Sequence, residues 1–346
     1  MAYTTVNKSG DYFNTKLYTG NGSTQSINVG FQPDFTWIKT RSGTTGTEGH
    51  RLQDAVRGST KYLESNGTAL EGTQAQGVTS FTSTGFNLGT DGSYNYNTAP
   101  IASWNWKANG TGSANTDGSI NSTVSVNTTS GFSIVSYTGN ATANATVGHG
   151  LGVAPSMMIV KKLNGAYNWG IYHKSLTAHK LITFTTGTPD DDASYWNDVE
   201  PTSSVFNLGS GALTNGSGST MIAYCFTDVQ GYSKFSSYTG NGNADGTFVY
   251  TGFKPAFVMI KRTDTGDNWL IKDIKRDPIN QMEKRIFPNL SNAEDTGSGG
   301  NYDFLSNGFK LRESDAIGNA SGGTYIYMAF AEAPLVGTNN VPCTAR

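Results

Sequence analysis

One short motif occurs three times in this sequence, and that limits what the chain can fold into more than any other feature. Tyr18-Thr19-Gly20-Asn21 returns as Tyr137-Thr138-Gly139-Asn140 and again as Tyr238-Thr239-Gly240-Asn241. Each copy is followed by a glycine, a proline and an apolar run ending in lysine: 30–39 around Pro33, 152–161 around Pro155 and 252–261 around Pro255. Later, Phe86-Asn87-Leu88 matches Phe206-Asn207-Leu208 and Phe309-Lys310-Leu311, and a closing run ends at Trp106, Phe226 or Phe330. Four marks in one order, at near-constant spacing, define three units. A scaffold in three copies suits binding or assembly better than a single enzyme active site.

Charged residues are only 14%, glycine is 43 of 346 and aromatics are 12%. An average soluble protein carries roughly 25% charged residues and about 7% glycine. Few charges, many turn formers and many aromatics predict an all-β chain. Turn signals every 8–12 residues favour three tandem β-sandwich repeats, jelly-roll or lectin-like, of about 100 residues each. The predicted boundaries are an N-terminal arm at 1–12, repeats at 13–108, 131–230 and 231–336, and a tail at 337–346. Residues 109–130 are almost entirely Gly, Ser, Asn, Thr, Ala and Asp. They read as a flexible linker with a short strand at Thr123-Val124-Ser125-Val126, leaving units one and two free to move while two and three dock.

A net charge of −2 argues against duplex nucleic acid as a partner. No basic, apolar leader is visible, and no apolar run approaches the ~20 residues of a membrane-spanning helix. Cys225 and Cys343 are the only cysteines. Cys225 lies in a strand-like run, so a disulfide between them is not expected, and no cysteine metal site fits the spacing.

Within a unit, Phe13 to Tyr18 reads as an edge strand, and the apolar run after the proline reads as a central strand covered on both faces. The three prolines are expected just ahead of that strand. Asp54 and Arg57 match Asp273 and Arg276, with Tyr172 and Ser175 in the second unit. That pair reads as a local, exposed ion pair holding a strand end, worth only ~0–1 kcal/mol. Trp37, Trp104, Trp106, Trp169 and Trp269 read as core anchors.

The search for catalytic chemistry yields little. None of His50, His149, His173 and His179 recurs between units, and no nucleophile elbow, zinc helix or phosphate loop is present. No pair of carboxylates has the spacing of a glycosidase. No catalytic residue, metal or cofactor is therefore assigned. The one candidate ligand site is the loop Asp190-Asp191-Asp192 with Tyr195-Trp196-Asn197-Asp198. Asp191, Asp192, Tyr195 and Trp196 could bind a sugar or Ca²⁺. The alternative is a solvated acidic loop with Trp196 tucked onto the sandwich.

The opening 1–22, the stretch 29–39 and the two later copies of the same motif resemble a family of tandem modules in structural proteins of tailed bacteriophages, notably phages of marine bacteria and cyanobacteria. Such proteins are grouped with tail fibres or other virion surface proteins. The resemblance covers essentially the whole chain, with the second unit departing most. It implies a non-enzymatic virion protein assembled in the host cytoplasm, with other virion proteins as partners and a homo-oligomeric state, a trimer among the options. Two functions follow from it. One is a tail fibre or peripheral appendage that contacts the host surface, through a glycan or another receptor. The other is a capsid decoration or tail component that binds only virion proteins. In either case the arm 1–12 could serve as an attachment strand.

Overall fold

In the computed structural model, which describes residues 3–42, 48–297, 299–337 and 342, three antiparallel sheets share one strand order. In the first unit the order is Phe13–Thr19, Pro100–Trp106, Phe35–Thr40, Arg51–Asp54. In the second it is Phe132–Thr138, Thr220–Phe226, Met157–Lys162, Gly170–His173. In the third it is Ser233–Thr239, Thr324–Pro334, Phe253–Arg262, Trp269–Asp273. The last strand of each unit thus lies between its first strand and the strand that follows the proline. A smaller antiparallel sheet accompanies each, such as Gln25–Asn28, Gly85–Leu88 and Val78–Thr82 in the first unit. Among the described residues the fold is all-β, 42% strand and 5% helix, with no barrel.

The strand after the proline is apolar on both sides because each face enters a different core. Phe35 and Trp37 join a central cluster, while Ile38 faces the small sheet of its own unit. In the second unit, Met157 and Ile159 face the centre and Met158 and Val160 face the small sheet. Pro33 and Pro155 precede their strands as expected. Pro255 instead lies inside Phe253–Arg262, where register shifts on either side of it mark a bulge that tolerates the missing N–H.

The Tyr-Thr-Gly-Asn motif is a structural clasp. The hydroxyls of Tyr18, Tyr137 and Tyr238 donate to the carbonyls of Tyr94, Thr214 and Gly318 at 2.9, 2.6 and 2.7 Å. The next residue along in each case is a buried asparagine: Asn95, Asn215 or Asn319. Its side-chain oxygen accepts the backbone N–H of Asn21, Asn140 or Asn241 at 2.9, 2.8 and 3.0 Å. The glycine is required because a Cβ on Gly20 would sit 2.1 Å from the Tyr96 carbonyl oxygen, with equivalent clashes at Gly139 and Gly240.

The three units close around one shared core. Trp106, Phe226 and Phe330 form a triangle, with ring centroids 6.2, 5.9 and 5.7 Å apart and every contact edge-to-face. Phe13, Phe35, Phe132, Phe235 and Phe257 surround it. This overturns the expectation that units one and two move freely: Phe35 stacks on Tyr224 at 4.2 Å. The stretch 109–130 is not a linker in the structural sense. It forms strands Ser113–Asn115 and Ser122–Asn127, and the second pairs along its whole length with Phe132–Thr138. Alternating Ser, Thr and Val make an edge strand whose Val124 is buried.

Nor is the N-terminal arm a free attachment strand. Val6 is buried in the shared core. Thr4 Oγ1 donates to the Gln230 carbonyl at 2.7 Å, and the Tyr3 hydroxyl donates to the Gly252 carbonyl at 2.7 Å. The arm therefore latches the first unit to the third. Cys225 is a free, buried thiol, raised to about 12 by burial, while Cys343 lies outside the described residues.

A shared core makes unfolding collective. Urea denaturation followed by tryptophan fluorescence and by far-ultraviolet circular dichroism should give coincident single transitions. Phe226→Ala should shift that one transition by about 3–5 kcal/mol. Separate transitions for the units would contradict the shared core.

Candidate functional site

The residues predicted from sequence to hold a ligand are largely structural. Asp190–Asp191 pair with Lys180–Leu181 in a two-residue ladder. Asp192 caps the short helix Ala193–Trp196, its Oδ1 accepting the Ser194 N–H at 2.7 Å. The Tyr195 hydroxyl donates to Asp190 Oδ2 at 2.8 Å. Trp196 is 1% exposed and packs edge-to-face on Tyr172 at 6.1 Å, so its ring is not offered to a ligand. Among the described residues no group of three or more His, Cys, Asp or Glu is arranged to hold a metal ion.

The structure instead directs attention to the three seams between units, which are built on one plan. The lysine that ends each apolar run is buried and holds a carbonyl of the preceding unit. Lys161 Nζ donates to Thr68 O at 3.0 Å, Lys261 Nζ to Thr186 O at 3.2 Å, and Lys39 Nζ to Ser291 O at 2.8 Å. Each also donates to a carbonyl in its own unit: Tyr167, Asp267 and Glu48 respectively. Burial pushes all three lysines down to about 8.

Across from each lysine, at the end of the ladder (Lys261 with Trp269) or one place past its last pair, is a ring N–H donor with the same task. Trp169 Nε1 donates to Glu64 O at 2.8 Å and Trp269 Nε1 to Thr183 O at 2.8 Å. The first unit places His50 there. Its Nε2 donates to Phe287 O at 3.0 Å, while its Nδ1 accepts Trp37 Nε1–H at 2.8 Å. This pairing fixes a neutral Nε2–H tautomer, and burial holds the imidazole well below its ordinary value. The seams run one to two, two to three and three to one, so the ring closes.

The Asp-x-x-Arg pairs belong to the same seams and are not exposed. Arg57 Nε donates to Asp54 Oδ2 at 2.5 Å and Arg276 Nε to Asp273 Oδ2 at 2.5 Å, with Arg57 at 3% side-chain exposure and the other three at 0%. Asp54 also accepts the Tyr224 hydroxyl from the second unit at 2.8 Å. Asp273 accepts Trp104 Nε1–H from the first at 3.0 Å. Buried pairs of this kind are costly to break from one side, about 3–5 kcal/mol.

The ladder register corrects the second unit's equivalent. Asp54 and Asp273 face Phe35 and Phe257, and the residue facing Met157 is His173, not Tyr172. The third unit offers it Met328 where the others offer Tyr224 and Trp104. A carboxylate there would meet no side-chain donor from the third unit at that place. His173 meets the same surroundings with Nε2 donating to Tyr327 O at 3.2 Å and Nδ1 accepting Ser175 N–H at 3.2 Å.

The seam between units two and three departs from the others again at its rim. At the one–two seam, Glu71 N–H donates to Leu163 O at 2.9 Å, and the Glu71 carboxylate meets Arg57 at 3.3 Å and Lys61 at 3.8 Å. At the three–one seam, Glu294 N–H donates to Arg41 O at 2.7 Å, and its carboxylate joins Arg41 at 2.7 Å and Arg276 at 3.0 Å. The corresponding residue at the two–three seam is Pro189, which has neither an N–H nor a charge.

A cleft of about 550 Å³ opens there. Hydroxyls of Ser175, Thr188, Ser237, Thr263 and Thr324 line it, with Leu176 and Pro189 as its apolar wall and Lys180 and Asp264 as its charges. Arg262 holds Asp264 through two hydrogen bonds of 3.0 and 2.9 Å and lowers its carboxyl to about 2. At the matching place on the one–two seam, a hollow of about 440 Å³ has Arg57 and Glu71 in its lining. The sequence held the signal for this site in the alignment of its own copies, where Pro189 stands against Glu71 and Glu294. Locating it needed the register.

The family described as domain of unknown function (DUF7483) matches residues 8–334, and the chain belongs to it. No curated protein and no solved structure matches the chain.

The seam histidines make stability depend on pH. Burial pushes His173 down to about 4, so the native state binds fewer protons than the unfolded chain between about pH 6.5 and 4. Stability from this group is present above pH 6.5 and is lost as pH falls through that window. His173→Gln should be less stable than wild type at pH 7.5, and the gap between their urea midpoints should narrow by pH 4.5. A gap that stays constant would show that His173 is not held neutral.

Proposed function

We propose that this chain is a bacteriophage virion structural protein, a tail fibre or other peripheral appendage, which contacts a host-surface glycan and does not cleave it. On this reading each unit is a β-sandwich module of the jelly-roll or lectin-like kind, and the three form one rigid head. The observation that carries the proposal is the two–three cleft. Ser175, Thr188 and Ser237 can exchange water for the hydroxyls of a sugar, the paired hydroxyls of Thr263 and Thr324 can still accept, and Leu176 and Pro189 offer an apolar wall to a ring face. The seam carboxylates Asp54, Glu71, Asp273 and Glu294 are each engaged by arginine, which suits a scaffold. The likeness of the repeat motif to tailed-phage modules points the same way.

A second reading has its own support. Phe248 and Tyr250 are 43% and 55% exposed on the strand Phe248–Tyr250 of the third unit. Outward aromatics on a short strand suit contact with another protein, as in a capsid decoration or tail component.

Binding of the purified chain to intact host cells, with virus particles lacking this protein as the competing target, separates the two. The glycan reading expects saturable binding to cells, weakened at least about ten-fold by Thr263→Val combined with Thr324→Val. Binding only to particles, lost with Tyr250→Ser, would replace it with the decoration reading.

A further inference from the structure

We infer that the cleft between units two and three takes an acidic saccharide, whose carboxylate is held by Lys180. The inference deepens the proposed function and rests on reading that cleft as a saccharide site. It starts from a lysine that all three units carry at one position. Lys61, Lys180 and Lys284 each stand two residues before the residue that bridges to the fourth strand: Leu63, Ile182 and Ile286. In the first unit Lys61 meets Glu71 at 3.8 Å and donates to Thr73 Oγ1 at 2.8 Å. In the third, Lys284 donates to Arg276 O at 2.7 Å.

In the second unit the residue at the place of Glu71 is Pro189, and Lys180 makes no ion pair or side-chain hydrogen bond among the described residues. Lys180 and Pro189 both line the cleft. The second unit thus has the lysine without the carboxylate that Lys61 meets in the first, and the cleft lies where that carboxylate would stand.

The other charges around the cleft leave Lys180 as the group available to an anion. Asp264 is engaged by Arg262 and also accepts the Thr324 N–H at 3.0 Å. Asp190 accepts the Tyr195 hydroxyl. Lys174 and Lys234 share Asp228 at 2.6 and 3.2 Å. Asp191 lies across the ladder from Lys180 without forming an ion pair with it, and its charge opposes an anionic ligand. A carboxylate on Lys180 would share the cleft with Thr188 and Ser175, while the Thr263 and Thr324 hydroxyls, already paired with each other at 2.7 Å, keep lone pairs that can accept from a sugar's hydroxyls. A hydrogen bond to a charged group adds enough to discriminate an acid from its ester by about ten-fold.

Isothermal titration calorimetry of the full chain with oligogalacturonate and oligomannuronate fragments, and with their methyl esters, tests this. The acids should bind, the esters should bind at least about ten-fold more weakly, and added salt should shrink the difference. Lys180→Met should erase the preference for acid. Pro189→Glu, which restores the missing carboxylate, should erase it as well. Asp191→Asn should tighten binding of the acids. Thermal denaturation identifies which variants remain folded, and Lys180→Gln is the substitute if Lys180→Met is not. Equal binding of acids and esters, or a preference that survives Lys180→Met or Lys180→Gln, overturns the inference and leaves the saccharide reading standing. If neither acids nor esters bind the wild type, both fall.

Discussion

Three aromatic side chains meeting at one point govern the rest of this structure. Trp106, Phe226 and Phe330 end the last strand of each unit, and their edge-to-face triangle leaves no freedom in how the units are turned. Such pairs add roughly 0.5–1.5 kcal/mol each beyond the area they bury. Their larger effect is geometric. Once the last strands converge, the strands on either side are carried against the neighbouring unit, and the carbonyls of residues 64, 68, 183, 186, 287 and 291 are brought into the seams. Buried carbonyls need donors. The lysine after each apolar run and the ring N–H opposite it supply them, at three seams, by the same geometry. A charge is costly to bury, so a lysine at these positions is tolerated because its ammonium finds at least two carbonyls.

The sequence carried much of this in plain form. The edge strand at the start of a unit, the doubly buried strand after the proline and the aromatic last strand all follow from periodicity and repetition, which depend on local chemistry. The association of units does not. Residues 109–130 have the composition of a linker, yet Ser122–Asn127 becomes a strand because Phe132–Thr138 offers it an edge. The Asp-x-x-Arg pairs look like exposed ion pairs because their partners, Tyr224 and Trp104, are about 170 residues away in sequence. Trp196, an attractive ligand contact as part of an acidic loop, is taken up by Tyr172 and the second unit's own core. In each case the missing information is a long-range contact, which no window along the chain contains.

The departures from the repeat are as informative as the repeat. His50 stands where Trp169 and Trp269 stand and makes the same bond to the preceding unit, so that change keeps the seam intact. His173 stands where Asp54 and Asp273 stand, and it fits because Met328 offers no donor. These substitutions follow their surroundings and need no functional cause. Pro189 is different. Nothing opposite it has changed to require a proline, since Thr263 still presents a carbonyl where Leu163 and Arg41 present theirs. Deeper in the same seam Asp267 N–H donates to Thr186 O at 3.0 Å, but at the rim Pro189 supplies neither an N–H nor a carboxylate, and the cleft lies there.

A closed ring with three complete seams has few polar groups left to offer, because its donors and acceptors are matched to one another. Recognition of a ligand needs the reverse: groups held in place by the fold whose own partners are missing. The two–three seam meets that condition because its inner part is complete. Lys261 and Trp269 still clasp the second unit's carbonyls at depth, which fixes both walls of the cleft. The rim alone has lost its ionic contacts, so Lys180 and the surrounding hydroxyls are positioned by a rigid frame. Positioned groups lose little entropy when they bind, and that is the main advantage a site in a seam has over one on a loop. On the proposed reading, the same repetition that closes the ring makes it possible to open one seam at its rim without loosening the other two.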